Sequence, residues 1–107
     1  MGSYREIGVE EARDLAEKGA LIIDVRSPDS YNKEHIKGAI SIPLEDLDKR
    51  INEIPRDRPV VVYCGSRECK ASYYASRKLA AAGYDNIYRF VDGLKGWKEA
   101  GLPTESS

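Results

Sequence analysis

The sequence is poor in the residues that build metal centres and disulfide scaffolds. Only two of its 107 residues are cysteine, Cys64 and Cys69, and its single histidine, His35, lies far from both. Four soft ligands are therefore not at hand, and no metal is expected. Two cysteines five positions apart make no disulfide framework, and so short a loop would constrain the unfolded chain little. No apolar run approaches the length of a membrane span, so no membrane partner is expected. Charge of one sign is also lacking. Seventeen basic residues meet eighteen acidic ones, with no block of like charges, and this argues against nucleic acid as a partner. The segment Met1-Gly2-Ser3-Tyr4-Arg5-Glu6 carries no apolar stretch of a secretory leader, which leads us to expect a cytoplasmic protein. Paired carboxylates for glycosidase chemistry and a phosphate-binding glycine-rich lysine motif are both missing.

What remains is the composition of an ordinary globular protein, 41% hydrophobic and 33% charged. The length suits one compact domain over residues 1–107, with 103–107 expected to fray. Short apolar runs alternate with helical patterns. Tyr4 to Ile7 reads as a first strand, and Val9, Ala12, Leu15 and Ala16 share one helical face. Ala20 to Val25 and Gly38 to Pro43 read as strands, and Leu44, Leu47, Ile51 and Ile54 predict a second amphipathic helix. Pro59-Val60-Val61-Val62-Tyr63 is the strongest strand signal. A helix is expected over 70–82, with Ala71, Ala75, Leu79 and Ala82 inward. Asn86 to Val91 and 94–100 predict a last strand and a last helix. Strands joined by helices imply right-handed crossovers, hence an α/β fold whose mostly parallel sheet is covered on both faces.

In such a sheet, chemistry collects at the carboxyl ends of the strands. Cys64 ends the best strand, and Gly65-Ser66-Arg67-Glu68-Cys69 leads from it into a helix. Backbone N–H groups at a helix start attract anions. A thiol there is expected to have a depressed pKa and to act as a nucleophile, with Arg67 and Lys70 adding positive charge at the rim. The alternative is a small buried hydrophobe, the usual state of a cysteine at a strand end.

Three stretches resemble the single-domain rhodanese-like sulfurtransferases. The first is Ile22-Ile23-Asp24-Val25-Arg26-Ser27-Pro28-Asp29-Ser30-Tyr31, continuing through His35-Ile36-Lys37-Gly38-Ala39-Ile40-Ser41-Ile42-Pro43. The second is Val60-Val61-Val62-Tyr63-Cys64 with its loop, and the third is Asp92-Gly93-Leu94-Lys95-Gly96-Trp97 with Gly101-Leu102-Pro103. The resemblance implies a three-layer domain with a five-stranded sheet and no cofactor. It implies that Cys64 takes sulfur from a small donor such as thiosulfate, becomes a persulfide, and passes the sulfur to cyanide or a thiol, a protein thiol included. It assigns Gly65, Ser66, Arg67, Glu68 and Cys69 to the loop that holds the persulfide.

The loop departs from the pattern of many active members, with Arg67 in place of a central glycine and Cys69 at the close, and Asp92 stands where a glycine is usual. Substrate choice thus stays open. Cys69 is either structural, a resolving thiol, or, least expected, the first nucleophile. Arg26 sits at the same sheet edge and is expected to pair with Asp24 or Asp29 rather than to touch substrate. His35 is expected to be a hydrogen-bonded structural residue, and Trp97 to pack in the core. Two other functions stand beside sulfur transfer: a non-catalytic protein-binding module, and a phosphatase- or arsenate-reductase-like relative. The last needs a longer loop closed by arginine, where this chain has Lys70.

Overall fold

The computed structural model describes residues 2–107. Five strands form one sheet: β1 (Tyr4–Ile7), β2 (Leu21–Asp24), β4 (Ile40–Ser41), β5 (Val60–Tyr63) and β6 (Ile87–Phe90), in the order β1-β6-β5-β2-β4. Every pairing in it is parallel, so the expected α/β architecture holds. Helices α1 (Val9–Glu17), α2 (Pro28–Lys33) and α3 (Ala71–Ala81) lie in the connections between strands of this sheet, and α4 (Gly93–Glu99) follows its last strand. The β-branched run of β5 suits the central strand, buried on both faces. Its side chains alternate: Val60, Val62 and Cys64 face α3, while Val61 and Tyr63 face α1 and α4. The same alternation in β6 turns Ile87 toward α3 and Phe90 toward Trp97.

Four details differ from the sequence-based expectations. The segment from Leu44 to Ile54 is not one helix but two 3-10 turns, Leu44–Asp46 and Ile51–Glu53. Its apolar spacing still buries Leu47 and Ile54. Flanked by Pro43 and Pro55, this short stretch winds tightly with i→i+3 hydrogen bonds, and Arg50 ties it to the Ser41 carbonyl. On α3 the inward face carries Ser72, Ala75, Ser76 and Leu79, and Ala82 is exposed beyond the helix end. Helix α2 lacks an apolar stripe and is marked only by its start, where Ser27 caps it by accepting from the Ser30 N–H and Pro28 occupies its first turn.

The tail expected to fray is instead held. Thr104–Glu105 forms β7, antiparallel to β3 (His35–Ile36). The Glu105 carboxylate accepts from the Gly38 N–H and meets His35 Nε2, Thr104 Oγ1 donates to Glu34, and Ser107 N donates to the Asn32 carbonyl. His35, stacked on Tyr31 and bonded through Nδ1 to the Tyr31 carbonyl, is structural as expected. Trp97 is buried, with its indole N–H on the Pro103 carbonyl.

Candidate active site

Cys64 directly follows β5, and alternation points its side chain at the start of α3. There its sulfur lies 3.3 Å from the Cys69 carbonyl oxygen and 3.4 Å from the Ser72 hydroxyl. Ser72 Oγ also accepts a hydrogen bond from Arg89 Nε at 3.0 Å, and Arg89 Nη1 reaches Glu6 at 2.6 Å. A fully buried hydroxyl thus stands between a buried guanidinium and the sulfur. The Ser72 hydrogen, with its oxygen already accepting from Arg89, is free to point at Cys64.

The loop is pinned from α4. The Cys64 carbonyl accepts from Leu94 N at 2.9 Å and the Gly65 carbonyl from Lys95 N at 3.0 Å. Gly93 makes this close approach possible. Its φ is +64°, and a side chain there would run into the Cys64 carbonyl. Within the loop, Cys69 N donates to the Ser66 carbonyl.

The expectation of an acidified Cys64 is corrected by this geometry. Cys64 is only 1% exposed, and burial raises its thiol above the ordinary cysteine value. The hydrogen bond it lends to Cys69 adds to this, while the Ser72 hydroxyl and N–H pull the other way. Cys69 is the more acidic thiol. Burial alone would raise it, but the hydrogen bond from Cys64, the N–H groups of Ala71 and Gly65, and the charge of Arg26 together bring it below its ordinary value. The cause is depth: the first two free N–H groups of α3 serve one sulfur each, Ala71 that of Cys69 and Ser72 that of Cys64, but Cys64 is fully buried and Cys69 only partly.

The other expected residues divide. Gly65 and Ser66 belong to the loop around the sulfurs, half-buried. Arg67 turns outward to pair with Asp92 at 2.9 Å, and Glu68 and Lys70 are exposed. Arg67, Glu68, Asp92 and Lys95 line a cleft of about 240 Å³ beside the loop, to which neither sulfur contributes. Arg26 runs alongside Gly65, but its Nε and Nη2 are engaged by Asp24 and the Glu34 carbonyl, as the pairing with Asp24 anticipated. Asp24 is held further by Tyr63, whose hydroxyl donates to it at 2.7 Å and accepts from Ile36 N. Ser72 and Arg89 were not singled out from sequence as site residues. A lone arginine two positions after Ile87, on the inward face of a strand, was the available signal.

Residues 8–100 match the model of the rhodanese-like domain. The chain belongs to the rhodanese-like family. It is 33% identical over 101 residues to the thiosulfate sulfurtransferase GlpE of Shewanella oneidensis, covering 94% of this chain and 98% of that one. It is 38% identical over 84 residues to the HTH-type transcriptional regulator Rv0324 of Mycobacterium tuberculosis, but that match spans only 37% of the regulator. Among solved structures it is similar to a rhodanese-related protein from Thermoplasma volcanium (TM-score 0.85, 27% identity, 97% of this chain and 100% of that one). It is also similar to a rhodanese-like domain from Anabaena (TM-score 0.82, 31% identity, 95% and 79%). Relatives of nearly the same length that are named sulfurtransferases make this a rhodanese-family sulfurtransferase. No helix among the described residues is long and apolar enough to cross a membrane.

Proposed function

We propose that this rhodanese-like chain moves sulfane sulfur from a small anionic donor such as thiosulfate to a thiophilic acceptor, cyanide or a thiol, through a persulfide on Cys64. The observation that carries the reading is the sulfur at the end of β5, set 3.4 Å from a buried serine hydroxyl that a buried arginine backs. Hydrogen-bond donors fixed in a closed, low-dielectric site stabilise a sulfur anion far better than water-exposed ones.

In the loading step the Cys64 proton passes to the neighbouring Cys69 thiolate, the thiol of the loop that ionises first. The Cys64 sulfur attacks the outer sulfur of thiosulfate, the S–S bond of the donor breaks, and sulfite leaves with the bonding pair. The Ser72 hydroxyl and N–H remain on the Cys64 sulfur throughout. In the second step the acceptor removes the outer sulfur and returns Cys64 as thiolate. Nothing in this sequence needs a cofactor, and His35 takes no part because Tyr31 and Glu105 occupy both its nitrogens.

Intact mass after incubation with thiosulfate tests this directly. The protein should gain one sulfur atom, and cyanide should remove it. A chain that never gains sulfur from any sulfane donor, while its thiols stay titratable, is instead a binding module of the same fold.

A further inference from the structure

We propose that Cys69 is the second working thiol of the loop: it closes on the Cys64 persulfide, forms a Cys64–Cys69 disulfide and releases the sulfur as hydrosulfide. This gives the chain a further activity, reduction of sulfane sulfur at the expense of a dithiol. It rests on the persulfide reading above.

Geometry makes the two thiols a pair. The Cys64 sulfur lies 3.3 Å from the Cys69 carbonyl, and only residues 65–68 separate the two cysteines. Both are free cysteines. They are also unlike: Cys64 is closed off, whereas Cys69 is only partly buried and its sulfur receives the N–H groups of Gly65 and Ala71. A cysteine that merely packed would need no such donors. The arrangement holds Cys69 toward its thiolate, the form that attacks a disulfide-like sulfur.

The step balances without an outside oxidant. The Cys69 sulfur attacks the inner sulfur of the persulfide and forms the new S–S bond. The bond between the Cys64 sulfur and the outer sulfur breaks, and the outer sulfur leaves with the electron pair and the Cys69 proton as hydrosulfide. The two cysteines are oxidised to a disulfide while the sulfane sulfur is reduced to sulfide. An external dithiol then reopens the disulfide by exchange, which makes a reducing protein or small-molecule dithiol the partner that completes the cycle.

A single turnover with thiosulfate and no added thiol tests the inference, reading released sulfide, free thiols and intact mass. The wild-type chain should release one equivalent of sulfide, lose both thiols and weigh two hydrogens less, and dithiothreitol should restore it. At alkaline pH, where Cys64 ionises without help from Cys69, the Cys69→Ser variant should gain one sulfur, releasable by cyanide, and set free no sulfide. If wild type instead holds a stable persulfide, or Cys69→Ser releases sulfide as wild type does, Cys69 is not the second thiol, although sulfur transfer stands. If neither protein gains sulfur nor yields sulfide, the persulfide reading itself falls, and this inference with it.

Discussion

The Cys64 sulfur lies 3.4 Å from the Ser72 hydroxyl, and that hydroxyl is held in turn by Arg89 Nε at 3.0 Å. In the proposed reaction, stabilisation of a sulfur anion would therefore come from beneath, through α3 and β6, rather than from the exposed charges of the loop. Arg67 is spent on Asp92 and Lys70 faces solvent.

Replacing Ser72 by alanine removes the donor to Cys64 and leaves a buried guanidinium N–H without its acceptor. A hydrogen bond to a charged group is worth about 1.5–3 kcal/mol. Sulfur loading should slow by about tenfold or more, and the Cys64 titration should move to higher pH. Ser72→Thr, which keeps the hydroxyl, should restore much of the rate. Arg89 acts through Ser72 as a positioning residue, so Arg89→Met should move the same pH midpoint in the same direction with little change in KM. Unchanged midpoints in both variants would reduce the pair to packing.

The coupled thiols predict a stepped pH profile for loading. Cys69 sits below and Cys64 above the ordinary cysteine value, so the pair loses its first proton early and its second late. Loading should rise first as Cys69 ionises and becomes the base for Cys64, and again at alkaline pH as Cys64 itself loses its proton. Cys69→Ser should abolish the lower step and leave the upper one. A single step common to both proteins would contradict the coupling.

Much of this arrangement was legible in the sequence because it is written in periodicity. The continuous β-branched run of β5 and its alternation already direct Cys64 toward one face of a buried sheet. What could not be read was depth. Both sulfurs meet free N–H groups at the start of α3, and what separates them is how far each lies beneath the surface, which no periodic pattern states. Ser72 and Arg89 lie 17 positions apart and meet only through the crossover, so neither has a local signature. The tail from Thr104 has no local signature for a similar reason: its partners, Glu34, His35 and Gly38, are remote in sequence.

Tyr63 is expected to matter for stability rather than chemistry. Burial, reinforced by the neighbouring Asp24 carboxylate, pushes its phenol far up, so it stays protonated and donates to Asp24 while accepting from Ile36 N. Tyr63→Phe leaves the Ile36 N–H without a partner and should cost about 1–3 kcal/mol in urea unfolding. Its side chain faces away from α3, so loading of Cys64 should be little changed. A large loss of loading at unchanged stability would overturn this division.

Acid should release the C-terminal segment before the rest of the fold. The Gly38 N–H holds the Glu105 carboxyl below its usual range, helped by His35, and Lys98 with Thr104 does the same for Glu34. Both carboxyls bind protons less readily folded than unfolded, so their contribution is complete above the ordinary carboxylate range and is lost as pH falls through the lowered values. Amide exchange at residues 104–107 should therefore quicken in acid while β5 stays protected. Simultaneous loss of both would show that the tail is not a separate unit.

Location of the transferred sulfur is the most direct test of the central claim. The Cys69→Ser variant, treated with thiosulfate at alkaline pH and digested under non-reducing conditions, should carry the added sulfur on the peptide containing Cys64, and Cys64→Ser should carry none. Sulfur found elsewhere, or a Cys64→Ser protein that loads as fully as wild type, would contradict the account.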